Sequence, residues 1–242
     1  MSEPGWTADG AGFGVSQQQL SHRVATYVRE GIMVGQFPAG KFLRTESLAA
    51  ELKVSATPVR EALMILQSEG SVRWEPRRGF RVVSVSDRDV HDLFAVQAFI
   101  AGELAARAAT EGATALDAPA IAELRELQLK LAAAAEAGDL AAVDRANHEI
   151  HRRINKASAS HRLTALLNQT VQYVPLRFFG SIAGWSQASA HDHSAVFDAL
   201  GARDADAARR AMSAHIVHIG ELLVAHLQSR RVPAPVGPAR SF

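Results

Sequence analysis

Apolar residues at Leu20, Val24, Tyr27, Val28 and Ile32 recur at intervals of three and four, the period of one helical face. That helix should stop near Gly35, where Phe37-Pro38-Ala39-Gly40 reads as a turn. Thr45 is a suitable N-cap for a short second helix ending at Leu52. Val54-Ser55 breaks the pattern. A third helix follows Ser55, with Pro58 in its first turn and Val59, Leu63 and Leu66 on one face, and it ends at Gly70. Val72-Arg73-Trp74 and Phe80-Arg81-Val82-Val83 then alternate as two short strands around the tip Glu75-Pro76-Arg77-Arg78-Gly79.

Beyond Ser84-Val85-Ser86 the period is helical throughout. Helices are expected near 87–111, 117–137, 139–158, 160–180, 186–202 and 204–230, broken at Gly112, Gly138, Ser158-Ala159-Ser160, Gly180–Gly184 and Gly201, with Pro175 kinking the fourth. Residues 1–16 have no periodic apolar pattern and are expected to form a disordered arm. Residues 231–242, rich in Pro, are expected to form a disordered tail. The expected fold is mainly α: a winged helix-turn-helix over residues 17–85 followed by an all-α helical bundle over 87–230.

Composition narrows the function. The 242 residues contain no Cys, which excludes disulfides, thiolate metal sites and a Cys nucleophile. No unbroken apolar run approaches the ~20 residues of a membrane span, and the first residues do not read as a secretory signal, so a cytoplasmic protein without a membrane partner is expected. The net charge of +1 conceals a division. Residues 17–85 carry ten Lys/Arg against six Asp/Glu, whereas residues 86–230 carry fourteen against seventeen. A basic module joined to an acidic one suggests nucleic-acid binding at one end only.

The N-terminal pattern supplies a mechanism for that binding. In a winged helix-turn-helix the third helix enters the major groove and its first residues reach base edges. The preceding helix holds phosphate through its N-terminal amides. An Arg-bearing wing tip is attracted to the negative potential of the minor groove. The stretch GQFPAGKFLRTESLAAELKVSATPVREALMILQSEGSVRWEPRRGFRV resembles the DNA-binding domain of the GntR family of bacterial transcription regulators, most specifically in VSATPVREAL and RRGFRV. The resemblance implies DNA contacts from Arg44, Thr45, Ser55, Thr57, Arg60, Arg77, Arg78 and Gly79. Ala56 stands where the family usually has an Arg that reads guanine, so the operator sequence does not carry over.

In the helical segment, Asn147 and His151 lie four residues apart on one expected helix face, while His193 and His215 lie on two later helices. Neutral imidazoles from facing helices of a bundle can converge on a divalent metal. Asp144 with His148 is a competing pair one turn earlier, and His191 and His218 are neighbouring rivals. The patterns NHEIHRRINKASAS, HDHSAVFDALGARDADAARRAMSAH and DVHDLFAVQAFIAGELAARAA resemble the FCD effector domain of the FadR subgroup. That resemblance implies Asn147, His151, His193 and His215 as ligands of a divalent metal ion, zinc or nickel by donor chemistry. Asn147 replaces the commoner Asp, which lowers the charge of the site.

Many FCD domains carry an Arg in the first helix that pairs with an effector carboxylate. Gln97 and Ala101 occupy that Arg position and the Glu position four residues on, which points to a monocarboxylate or polar neutral effector, with Arg153 and Arg177 on later helices as alternative charge partners. The implied function is a metabolite-responsive regulator, a repressor binding double-stranded operator DNA as a homodimer and released or retuned by a small organic acid beside the metal. Two other classes stay open at this level: an effector-independent DNA binder and a metal-dependent helical-bundle enzyme. No Ser-His-Asp signature, phosphate-cradling Gly loop or zincin motif supports the latter.

Overall fold

A computed structural model describes residues 16–110, 116–171, 182 and 184–230. Residues 1–15 of the arm expected over 1–16, the tail over 231–242, the break at Gly112 and the kink at Pro175 lie outside the described residues, while Ser16, expected in the arm, instead caps the first helix. The first unit contains α1 (Gln17–Met33), β1 (Phe42–Leu43), α2 (Thr45–Leu52), α3 (Ala56–Ser68), β2 (Val72–Glu75) and β3 (Gly79–Val82). α1 opens with a capping box in which Ser16 Oγ accepts from the Gln19 amide and the Ser16 amide donates to Gln19 Oε1.

The sheet is antiparallel in the order β1-β3-β2, with Trp74 opposite Phe80 and Leu43 opposite Phe80 on the other side. β1 is absent from the expected elements because two residues cannot display an alternation; pairing with β3 alone makes it a strand. The start of α2 also differs from expectation. Arg44, in an extended conformation, holds the N-cap position, and Thr45 is the first helical residue, buried against the core. Lys53, in the left-handed region at φ 55°, turns the chain from α2 toward α3. Val24, Val28, Leu52, Val59, Leu63, Leu66 and Phe80 form the core of this unit.

The second unit contains α4 (Asp87–Thr110), α5 (Ala118–Glu136), α6 (Leu140–Ala157), α7 (His161–Val171), α8 (Trp185–Gly201) and α9 (Ala205–Arg230). Ser86 closes the start of α4: its Oγ accepts from the Asp89 amide, while its own amide donates to the Asp89 carboxylate. The Ser86 hydroxyl also donates to the Asp89 carboxylate at 2.6 Å, and this bond, with that of the Ser86 amide, holds the Asp89 pKa below its ordinary value. α4 is apolar and long enough to cross a membrane by length and composition alone. In the fold it is the central helix, and Phe94, Leu104, Ala105 and Ala108 are buried among the other helices. Gly220 lets α4 and α9 approach closely, since a Cβ there would fall 2.7 Å from the Phe94 ring. The bundle core, which includes Leu124, Ile150, Ile154, Trp185, Phe197 and Leu223, is separate from the first core, and Met33 at the end of α1 packs against it.

Candidate functional site

Three histidines from three helices meet inside the bundle. His151 comes from α6, His193 from α8 and His215 from α9, with their nearest ring nitrogens all within 4.8 Å of one another. His193 is fully buried and His215 nearly so. His151 keeps a little surface because it borders a cavity, yet protein surrounds it. His151 Nε2 and His193 Nε2 stand 3.4 Å apart. Two ligands at the ~2.0–2.1 Å zinc–nitrogen distance with tetrahedral angles would be about 3.3–3.4 Å apart, so this spacing suits one shared ion.

The outer contacts orient the rings toward each other. His193 Nδ1 lies 2.7 Å from Gln128 Oε1 on α5, so this nitrogen carries the proton and Nε2 offers its lone pair. Asp192 accepts from Nδ1 of His215 at 3.3 Å and from Nδ1 of His218 at 2.9 Å. Burial alone would raise the Asp192 pKa, but the bonds from His215, His218 and His191 outweigh it and hold the carboxyl far below its usual range. Burial, reinforced by His215 and His148, pushes His151 down to about 3. Burial also lowers His193 well below its ordinary value, with His215 and His151 adding to it. Both rings are therefore neutral near pH 7, as ligation requires.

Asn147 stands one turn before His151 on α6. Its Oδ1 is buried with no hydrogen-bond partner among the described residues, a costly condition for an amide oxygen unless something is bound there. Three imidazole nitrogens and one unsatisfied oxygen therefore fit a divalent metal. Among the rivals, His148 and His191 are exposed, and His218 is committed to Asp192. Asp144 lies partly buried on the turn before Asn147. Sequence reasoning missed Gln128 and Asp192. The adjacency of Asp192 to His193 was a weak signal, and Gln128 offered none.

His151 and His215 border a cavity of about 960 Å³ walled by residues of α1, α4, α6, α7, α8 and α9. Gln97 is in that wall, but its Nε2 donates to the Thr170 carbonyl at 3.1 Å and thereby ties α4 to α7. Arg153 is not in the wall. Its Nε donates to Glu149 at 2.8 Å and its Nη1 to Glu123, so it staples α6 to α5. Arg152, a hundred degrees around the helix, lines the cavity instead. Arg177 lies outside the described residues.

The residues expected to contact DNA lie at the start of α2, on α3 and at the wing tip between β2 and β3. Ser55 is the N-cap of α3, and Ser55, Thr57 and Arg60 are exposed. Met64 continues the Thr57–Arg60 stripe and is 60% exposed, an apolar residue where a solvated helix would carry a polar one. It lies off the Val59–Leu63–Leu66 face, and that offset was the available clue. Arg44 is exposed at the start of α2, whereas Thr45 is buried. Arg77, at φ 64°, is exposed at the wing tip, and Arg78 lies 4.2 Å over the Phe42 ring. Gly79 serves the backbone, since its φ is +100° and a Cβ would fall 2.7 Å from the Leu43 carbonyl oxygen. Arg73 and Arg81, missed in the sequence, are exposed and directly opposite each other on β2 and β3. Like charges so placed repel unless an anion lies between them; Arg81 also reaches Glu75 at 3.5 Å.

Comparison with known proteins covers both units. The family described as bacterial regulatory proteins, gntR family, matches residues 20–82, and the FCD domain matches residues 92–218. An uncharacterized HTH-type transcriptional regulator from the TAR-I ttuE-ttuC' intergenic region of Agrobacterium vitis is 34% identical over 129 residues, which are 50% of this chain and 72% of that protein. The gluconate operon transcriptional repressor of Bacillus licheniformis is 36% identical over 83 residues, 34% of each chain, so the match spans about a third of that repressor. The solved structure of E. coli McbR/YncC superposes with a TM-score of 0.62 at 26% identity, covering 89% of this chain and 99% of the other.

Proposed function

Because the chain belongs to the GntR family of bacterial regulators and carries an FCD domain, and is a transcription regulator rather than an enzyme, we propose that it is a cytoplasmic repressor that binds operator DNA as a homodimer and releases it when a small organic acid occupies the cavity beside the histidines. The observation that carries this reading is the continuity of that cavity: its wall takes residues from α1 of the DNA-binding unit as well as from the histidine-bearing helices. A ligand there touches both units at once, so its binding free energy can differ between two arrangements of the winged helices.

His151, His193 and His215 would hold a divalent ion, zinc or nickel, with Asn147 as the oxygen donor. Such an ion supplies a fixed positive charge that attracts a carboxylate. Gln128 and Asp192 keep the rings oriented toward it. On the DNA side, Thr57 and Arg60 read bases, while Arg44, Ser55, Arg77 and Arg78 hold phosphate or the minor groove. The Thr57–Arg60–Met64 stripe adds an apolar contact suited to a thymine methyl. Val96 and Phe99, three residues apart on α4 and 50% and 69% exposed, favour a second copy as the partner of that face.

The test begins with genomic DNA fragments selected by the full chain and sequenced. Arg60→Ala should then weaken binding to the selected operator by roughly 1–3 kcal/mol while leaving non-specific binding nearly unchanged. Equal operator affinity in the variant refutes the assignment of α3 as the reading helix.

A further inference from the structure

We propose that the end of the cavity between the two units is a second anion subsite, formed by Arg29 of α1 with Arg152 and Lys156 of α6, so that the effector is a metabolite anionic at both ends. This rests on the effector reading above and replaces the singly charged ligand that Gln97 suggested. Asn147, His151, Arg152 and Lys156 all line the cavity. Asn147–His151 and Arg152–Lys156 are two i,i+4 pairs on adjacent faces of α6, so the stretch of α6 bordering the cavity extends along the helix from the histidine to Lys156. At 1.5 Å per residue the levels of His151 and Lys156 differ by about 7–8 Å. A ligand with an anionic group, a carboxylate or a phosphate, at each end of a chain of that length can meet both positions, whereas a monocarboxylate has no second charge to place there.

Arg29 is a built component rather than a stray surface charge. It is 7% exposed, and its Nε and Nη2 donate to the Glu69 carboxylate at 2.8 to 3.2 Å. A guanidinium has five donors, and these bonds leave Nη1 for a ligand. Arg152 is held by Glu149 through two bonds of 2.6 and 2.7 Å, which fixes the position of its guanidinium. Neither Glu69 nor Glu149 belongs to the cavity wall, where Glu30 is the only carboxylate among the described lining residues.

The subsite is also placed to be felt at the DNA. Glu69 is the C-cap residue of α3. An oxyanion bound at Nη1 of Arg29 shares the guanidinium charge that Nε and Nη2 present to Glu69, and this weakens the tie between α1 and the end of the reading helix.

The experiment uses zinc-loaded full-length protein with 15N-labelled arginine and histidine, titrated separately with inorganic phosphate and with acetate. We expect the Arg29 and Arg152 Nε–H resonances to shift with saturation in the millimolar range. Lys156→Ala, a change at the cavity rim that does not threaten folding, should weaken the affinity several-fold. A response to phosphate alone identifies a phosphate ester as the distal group, and a response to both anions identifies a second carboxylate. No shift at Arg29 with either anion, or the same affinity in Lys156→Ala, overturns the subsite. Histidine ring resonances followed during zinc addition test the metal separately, so the two readings fail on different signals.

Discussion

Replacing His193 by Ala offers the sharpest test of the centre, because its consequences with and without metal separate. His193 is fully buried, stacks on Phe197 with ring centroids 5.8 Å apart, and holds Gln128 at 2.7 Å. Without metal, Ala removes a hydrogen bond and leaves the Gln128 oxygen without its donor, beside an Nε2 that already has no partner among the described residues. That loss costs about 1–3 kcal/mol. With metal, the wild type gains stability that the variant does not. An ion binding only the folded state contributes about 2.7 kcal/mol at a hundredfold excess over its Kd. For a unit of this size each kcal/mol moves Tm by about 2–4 °C. Zinc should therefore raise the melting temperature of the helical unit by about 5–10 °C in the wild type and by much less in His193→Ala. His218→Ala, which removes a half-exposed ring outside the triad, should retain the full zinc response. The assay is differential scanning calorimetry at matched free zinc, with metal content measured by mass spectrometry. Equal zinc shifts in wild type and His193→Ala would show that the three rings do not share an ion.

Other expectations follow from the geometry. Gly79→Ala should distort the wing, because the residue combines a left-handed φ with a 2.7 Å approach to the Leu43 carbonyl. A destabilisation of about 1–3 kcal/mol, read by urea denaturation of the first unit, together with weaker DNA binding, is the result that supports it. Leu104→Ala removes a fully buried side chain from the bundle core. It should cost about 2–5 kcal/mol in the transition of the helical unit and leave local exchange protection of the Val24–Leu63 core intact, since the two cores are separate. Phe99→Glu should shift the sedimentation coefficient toward a monomer if the exposed face of α4 receives a second copy, and an unchanged value would exclude that face.

Much of the architecture is legible one segment at a time. The apolar faces of α1 and α3, the alternation of β2 and β3, the turn at Gly138 and the i,i+4 pair Asn147–His151 depend on neighbours within a few residues, and local periodicity encodes them. β1 escapes such reading because Phe42 and Leu43 become a strand only through β3, almost forty residues later. Thr45 reads as a cap from its type alone, but Arg44 takes that position because the preceding strand fixes where the helix can begin.

The site divides in the same way. The residue types His151, His193 and His215 were visible, with family resemblance tying them together. Their convergence within 4.8 Å depends on how α6, α8 and α9 cross. Gln128 enters because α5 packs beside α8, and no pattern in α5 marks it. Arg152 rather than Arg153 lines the cavity, a difference of one residue that becomes a hundred degrees of rotation once α6 is seated against α5. The contribution of Arg29 to a cavity of the other unit was invisible for the same reason. Periodicity states which side of a helix is apolar, but the relative placement of two packed units is a property of contacts far apart in the chain, and only the tertiary structure decides it.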